Sequence, residues 1–554
     1  MTIPNNTIIA LALAASIFTP AQPSLADTTQ KNATMAGSDI PLMVEQAITA
    51  GVDHTYGGPW EFFVGGGVAT VDCNGDRRPD IIMAGGANPA RLFINKSPTG
   101  GALEFEEKSL GLSEKDVKMV SGIYPLDIDN DGHKDLILLR VGKNIILKGG
   151  ENCSFTKANQ KLAFDGGKAW STAFSATFEK NQNFPTLAFG NYVDRDAPGS
   201  PWGTCHNNIL IRPLGEKTPD YSNQTLLAPG YCTLSMMFTD WNKSGTPALR
   251  VSNDRQYYRG GEEQLWHVDA GQPPRLYSRT DGWQKLTIWG MGIAEADLNN
   301  DGKPEYALTS MGDTKIQSLD SDADGQPIYR DIAWERGATA HRPYTGDDLK
   351  PSTGWHSEFA DFNNDGLLDL FIAKGNVEKM PDFTKFDPDN LLLGQHDGTF
   401  AEAGMLAGIA LKTRGRGAAI VDLNMDGMLD LIVVNRGTPV SIFRNIGGKT
   451  ALKPRSMGNW LQIELRQDGP NRDAVGALIS VKSGNENRAR KISIGGGHGS
   501  DSLGFVHVGL GVAERAQVRI KWPDGSWSAP YRVFANNFVV IKKDDTNARY
   551  WYPR

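Results

Sequence analysis

Long hydrophobic runs are missing from this 554-residue chain. The run Ile8–Phe18 has 11 residues, and a membrane-spanning helix needs about 20. No later stretch is long and apolar enough either, so no transmembrane segment is expected. Basic charge is not in excess: 57 Lys+Arg face 64 Asp+Glu, for a formal net charge of −7. A general nucleic-acid binder is usually basic, so that class is disfavoured. There are four cysteines and no Cys-x-x-Cys, which removes zinc ribbons and thioredoxin-type sites. Neither a Gly-x-Ser-x-Gly elbow nor a His-Glu-x-x-His helix is present. His54, His341, His356 and His498 are scattered, and no catalytic residue is identified. Hydrophobic residues make up 40% and charged residues 22%, which excludes wholesale disorder.

Turn formers are plentiful, with 62 Gly and 30 Pro. That favours many short strands over long helices. The first 26 residues carry no charged side chain. Their apolar run is followed by Pro20, Pro23 and Ser24-Leu25-Ala26, which suits signal-peptidase cleavage before Asp27. The n-region lacks Lys and Arg. The expectation is a signal peptide over 1–26 and a soluble, secreted or periplasmic protein. Four cysteines then permit two disulfides. Three pairings exist; Cys205–Cys232 is favoured because these two bracket one insertion, which leaves Cys73–Cys153. Four free buried thiols are the alternative.

A nine-residue pattern, Asp-x-(Asp/Asn)-x-Asp-Gly-x-x-(Asp/Glu), recurs along the chain. It begins at Asp72, Asp127, Asp297, Asp361 and Asp422. A worn copy begins at Asp240, and a fainter one at Thr177. The seven starts are 50 to 64 residues apart. Each lies between two apolar runs, such as Gly67–Val71 and Ile81–Ala84, so each is a hairpin connection. Seven such units predict an all-β, seven-bladed β-propeller.

The loop chemistry points to calcium. A hard cation takes six to eight oxygens, and positions 1, 3, 5 and 9 supply acids or amides. These are Asp72, Asn74, Asp76 and Asp80; Asp127, Asp129, Asp131 and Asp135; Asp297, Asn299, Asp301 and Glu305; Asp361, Asn363, Asp365 and Asp369; and Asp422, Asn424, Asp426 and Asp430. Glycine at position 6 permits the sharp turn. Closure at position 9 between strands disfavours an EF-hand, which closes at position 12 between helices. About four or five calcium sites are expected. The first loop has Arg77 in place of glycine, and the copies at Thr177 and Asp240 lack the ninth carboxylate. Asp320–Gly325 mimics the motif opening but has Ile328 at the ninth position, and reads as an outer turn. Residues 459–554 carry a net charge of +5, which leaves −12 for 27–458. Sixteen carboxylates of that acidic stretch lie in the five loops, where they would repel one another without an ion.

These loops resemble the FG-GAP/VCBS repeats of integrin α-subunit propellers. Further on come Asn459-Trp460-Leu461, Asn471–Ala477, Gly495-Gly496-Gly497, His507-Val508-Gly509-Leu510-Gly511 and Lys521-Trp522-Pro523-Asp524-Gly525. Together they look like an ASPIC/UnbV domain. The whole is similar to the cartilage acidic protein family, over roughly residues 50–545. The resemblance implies secretion, calcium binding and a seven-bladed propeller, and no settled activity. The expected layout is a signal peptide 1–26, an extension 27–50, a propeller 51–450, an ASPIC/UnbV-like domain 451–545 and a tail 546–554. The alternating strands Trp460–Leu465 and Val518–Trp522 predict a small sandwich or barrel for that domain.

Residues leading into the inner strands are candidates for a ligand site at the channel mouth: Tyr124, Trp289, Trp355, His356, Arg414 and Arg416, with Trp170, Met236 and Met291. They could hold a small organic or anionic ligand. Alternatively, Trp and Met fill the channel and Arg pairs with acids. The function expected is a binding module for protein, glycan or small molecule, monomeric, with calcium mainly structural. An enzyme at the channel mouth and a calcium-dependent surface adhesin are the rival readings.

Overall fold

The computed structural model describes residues 40–255, 260–320, 325–339, 353–378, 387–448 and 455–553. The signal-peptide segment, His341 and residues 321–324 of the outer turn lie outside the described residues. The repeat spacing is the blade spacing. Seven antiparallel sheets of the chain's consecutive strands form the blades. Their inner strands are Val68–Val71, Val120–Leu126, Ser171–Thr177, Thr233–Thr239, Gly290–Ala296, Gly354–Ala360 and Gly415–Val421. Each packs on the inner strands of both neighbouring blades, blade 7 on blade 1 included, so the ring closes. Blades stack face to face. Inner strands such as Ser171–Thr177 are therefore buried at every residue, the Ser and Thr positions included, rather than alternating between core and solvent. Every motif joins a first strand to a second: Asp72 follows Val68–Val71 and Asp80 opens Asp80–Met83.

Ring closure corrects the first domain boundary. Strand Pro41–Glu45 falls inside the expected 27–50 extension, yet it pairs with Ser441–Gly448 as the outermost strand of blade 7. A blade built from both ends of the propeller sequence fastens the ring with backbone hydrogen bonds, which no open end could supply.

The C-terminal region is a sandwich of two four-stranded sheets. One holds Val506–Gly511, Asn459–Arg466, Asn537–Lys542 and Arg549–Trp551; the other holds Glu486–Lys491, Leu478–Ser483, Arg515–Lys521 and Tyr531–Phe534. Their inward residues, including Leu461, Ile463, Ile479, Val518 and Val539, form one buried cluster. The expected tail 546–554 is corrected likewise, because Arg549–Trp551 pairs with Asn537–Lys542.

One stretch of this region leaves the sandwich and enters the propeller. Strand Asp501–Leu503 runs parallel to inner strand Val68–Val71 as a fifth strand of blade 1. Before it, Ile494, Gly495 and Gly497 bridge to Ala176, Met237 and Ile293, on the inner strands of blades 3, 4 and 5. A Cβ on Gly67 would lie 1.7 Å from the Gly499 carbonyl oxygen. Glycine there is a condition of the insertion.

Candidate metal centres and the plugged channel

Blade 6 shows how a loop is built. The Asp361 carboxylate accepts from Gly366 N–H at 2.8 Å, and Asn363 Oδ1 from Asp365 N–H at 3.2 Å. Asp365 Oδ1 accepts from Leu367 N–H at 2.7 Å. Asp369, at position 9, takes Phe362 N–H at 2.8 Å and Gly394 N–H, on the third strand of the blade, at 2.9 Å. The ninth carboxylate is therefore a strand-to-strand brace as well as a loop closure. Asp80, Asp135 and Asp430 repeat it, with donors Asn95, Gly149 and Asn445.

Two positions, not one, take the left-handed conformation. Position 6 does so through Gly132, Gly302, Gly366 and Gly427, and through Arg77 in blade 1. Position 4 does so through Asn130, Asn300, Asn364, Met425 and the worn loop's Lys243, with φ between 58° and 59°. The signal was present in the sequence, since Asn tolerates that region best after Gly and fills position 4 in three of the loops.

Several loop oxygens are buried without a hydrogen-bond donor: Asp127 Oδ1, Asp129 Oδ1, Asp297 Oδ1, Asp361 Oδ1 and Asn424 Oδ1. Ligand oxygens of Asp127, Asp129 and Asp135 lie within 4.8 Å of one another. Burial, then repulsion from Asp365, pushes Asp361 up to about 7. Burial pushes Asp135 up to about 8, and holds Asp369, Asp422 and Asp430 well above the ordinary carboxylate range. Desolvated, crowded, donor-poor oxygens are what a hard cation fits. The loops differ in what else is near. In blade 2 the Lys148 ammonium reaches Asp129 and Asp131. In blade 1 Arg77 turns out to Glu464 at 2.8 Å. In the faint blade 3 copy Glu179 pairs with Arg212 at 2.6 Å, so a cation of the chain itself answers the acid. The blade 4 copy keeps its turn through Asp240, which caps Gly245 N–H.

The sandwich docks on these loops. Along Asn459–Arg466, Glu464 meets Arg77 of the blade 1 loop, and Arg466 meets Asp473, which also pairs with Lys134 of the blade 2 loop at 2.5 Å. Asn471 N–H and Arg472 Nε donate to Asn130 at 3.0 and 2.9 Å. His507 Nε2 stands 2.6 Å from Asn364 Oδ1, and Gly511 N–H donates to the Asn364 carbonyl at 2.9 Å. Between them, a Cβ on Gly509 would sit 1.9 Å from Asp361 Oδ2. The Asn471-Arg472-Asp473 and His507–Gly511 phrases are thus each fitted to one Asp-rich loop.

The channel candidates gather around the inserted segment. His498 is fully buried. Its Nε2 accepts from Gly65 N–H at 3.0 Å, and its Nδ1 faces the Met291 carbonyl at 3.1 Å. A carbonyl needs a donor, so Nδ1 carries the proton and the ring is neutral. Burial pulls its pKa down to about 3, with Arg416 and His356 adding to the effect. His356 Nδ1 accepts from His498 N–H at 3.1 Å, and its Nε2 lies 3.2 Å from Glu358. Trp355 is buried, with the Arg416 guanidinium 4.0 Å from its ring. Arg416 donates to the Phe63, Gly415 and Asn376 carbonyls. Tyr124 is buried beside Gly499; Trp170, Met236 and Met291 are buried too. Trp289 is 45% exposed, and Arg414 pairs with Glu378, which also takes Arg436. Of the six ligand candidates, His356 alone lines the large cavity on the loop face. The two disulfides are Cys73–Cys153 and Cys205–Cys232. Among the described residues no helix is long and apolar enough to cross a membrane.

A ring of seven blades with Asp-rich hairpins, capped by a sandwich on those hairpins, defines an FG-GAP-type β-propeller with an ASPIC/UnbV domain. The ASPIC and UnbV family profile matches residues 467–548, and the FG-GAP-like repeat profile matches 72–138 and 361–433. Cartilage acidic protein 1 of Xenopus tropicalis is 30% identical over 495 residues, 83% of this chain and 70% of its own length. The chain belongs to the cartilage acidic protein family. The mouse protein of that name is 30% identical over 243 residues, 43% of this chain. The human one is 29% identical over the same length. The chain spans about a third of the length of each of those two. Among solved structures, BBS1N in complex with ARL6DN aligns with a TM-score of 0.41 at 9% identity, over 70% of this chain and 94% of that one.

Proposed function

We propose that this protein is an exported binding module whose propeller is braced by calcium. The observation that carries the calcium reading is the set of buried loop oxygens without donors, Asp361 Oδ1 foremost. Asp361, Asn363, Asp365 and Asp369 would hold the ion in blade 6, with the matching residues of the other loops. The ion would supply the positive charge that these crowded carboxylates lack. The loops of blades 5 and 6 are expected to fill first, because among the described residues no basic side chain is bonded to their carboxylates, as Lys148 is in blade 2. Two disulfides support export, since such bonds persist in oxidising compartments. Buried channel residues and a docked sandwich leave binding to the outer faces and the loop-face cavity.

Metal analysis of purified protein should find about four or five calcium ions, as the motif count implies. EDTA should release them and lower Tm. Less than one equivalent of calcium would overturn the reading.

A further inference from the structure

The net +5 of residues 459–554 is not spread evenly over the sandwich. On the docking side its cations are answered: Arg466 by Glu464 and Asp473, and Lys491 by Glu295. Elsewhere Lys542, Lys543 and Arg549 pair with Asp468, Asp524 and Asp545. Four others, Lys482, Arg515, Arg519 and Arg532, are exposed, and among the described residues no acid pairs with them.

Strand register gathers these four on one face. In the sheet that holds Arg515–Lys521, residues Ala516, Val518 and Ile520 point into the core, so Arg515, Gln517 and Arg519 point out. Gln517 stands opposite Lys482 on one neighbouring strand and opposite Arg532 on the other. Strand geometry puts those two about 5 Å away, and Arg515 and Arg519 about 7 Å away along the strand of Gln517 itself. Four cations therefore surround one neutral side chain. Among the described residues no outward position of these four strands holds an acid. Glu486 is opposite Ser483, on the inward parity, and Glu514 precedes its strand.

Two aromatic rings complete the face. The Arg515 guanidinium lies 5.0 Å from the ring of Phe534, its cross-strand partner, and that of Arg519 lies 5.0 Å from Trp527. The rings are 55% and 47% exposed, and Trp527 also borders the loop-face cavity. Stacking orients each planar guanidinium and leaves its N–H edge for an anion. Like charges on neighbouring strands repel, and a ligand with several spaced negative charges removes that cost. A flat anionic bilayer would also meet the propeller, whose stretch 27–458 carries −12, whereas a single polymer chain need touch only this strip. The exposed ring faces suit the C–H faces of sugars.

We propose that this outer sheet face binds an acidic polysaccharide, its carboxylate or sulfate groups held by Lys482, Arg515, Arg519 and Arg532, with sugar rings resting on Phe534 and Trp527. This rests on the binding-module reading above and names its surface and ligand class.

The test is titration of the full-length protein with heparin and hyaluronate at low ionic strength. Dextran is the neutral polymer, and phosphatidylglycerol vesicles and duplex DNA are the other polyanions. At least one acidic polysaccharide should bind, dextran should not, and added salt should weaken the binding. The variant carrying Lys482→Gln, Arg515→Gln, Arg519→Gln and Arg532→Gln should bind about tenfold more weakly or worse. Lys143→Gln, Lys161→Gln, Lys217→Gln and Lys285→Gln, at exposed propeller positions, remove the same charge together and should leave affinity within about twofold. Should the first variant misfold, Arg519→Gln alone carries the test, with an expected loss of about threefold. The proposal is wrong if neither acidic polysaccharide binds, if dextran binds as well, if the two fourfold variants behave alike, or if vesicles or DNA bind more tightly than both polysaccharides. Calcium content and Tm of the same samples report on the calcium reading, which stands or falls separately, and a dextran binder would still be a binding module.

Discussion

Backbone conformation at single positions decides how well each loop is made. Lys243 sits at φ +59° on the exposed turn of the worn blade 4 loop. A left-handed conformation costs a side-chain-bearing residue about 1–2 kcal/mol that glycine avoids. Lys243→Gly should therefore raise stability by about 0.5–1 kcal/mol, part of the gain being offset by glycine's larger unfolded-state entropy. Urea denaturation would measure it, and a loss of stability would show that the Lys243–Asp301 carbonyl bond of 2.9 Å outweighs the backbone term. Two buried histidines set the acid response. His498 is held neutral as described, and burial pulls His54 down to about 4, its Nε2 standing 2.8 Å from the Ala84 carbonyl. An unfolded histidine protonates near 6.5. Below that pH the unfolded chain binds protons that the folded chain refuses. The stabilisation is therefore complete above about pH 6.5 and lost as pH falls toward the folded values. Each histidine should cost about 2 kcal/mol between pH 7 and pH 5. His54→Gln should remove one such share from the slope of stability against pH, measured with calcium present.

At the scale of strands and loops, the sequence was legible wherever chemistry repeats with a fixed period. Seven motif starts gave seven blades, since each motif occupies the same hairpin of its sheet. The Cys205–Cys232 pairing was readable because both residues flank one insertion. Strand Pro41–Glu45 was not readable: its partner lies some 400 residues away, and no local pattern encodes a closure made between chain ends. The inserted segment was invisible for a related reason. Gly495-Gly496-Gly497-His498-Gly499 shows neither strand nor helix periodicity, and its meaning comes from blades 1, 3, 4 and 5. Residues Tyr124, Trp355 and Arg416 did group at the channel, but around this segment of the same chain. The longer-range disulfide can be tested at this scale. Cys73–Cys153 closes 80 residues between the blade 1 loop and blade 2, and removing a bond of that kind typically costs about 2–5 kcal/mol. The Cys73→Ser, Cys153→Ser double variant should melt lower by that equivalent. An unchanged Tm under oxidising conditions would show that the blade contacts alone hold this edge.

For the molecule as a whole, the docking pattern couples domain arrangement to the calcium binding proposed for the loops. Hydrogen bonds and ion pairs from residues 455–553 reach the loops of blades 1, 2, 6 and 7. The blade 5 loop, Asp297 to Glu305, makes none among the described residues, its side chains bonding within the blade. In blade 6 the docking atoms belong to Asn364, between ligand candidates Asn363 and Asp365, and to Gly366, whose carbonyl accepts from Arg488 Nε at 2.9 Å. An ion that fixes those neighbours fixes Asn364, and so favours the docked sandwich and its inserted segment by linkage. Binding energy shared in this way is reciprocal. Asp365→Asn should therefore speed hydrogen exchange in residues 494–503 as well as lower calcium content. Asp301→Asn, in blade 5, should lower calcium content and leave exchange in 494–503 unchanged. Equal exchange in the two variants, with one calcium lost from each, would show that the sandwich holds its place through its own apolar and polar contacts, and that the loops brace only the blades they belong to.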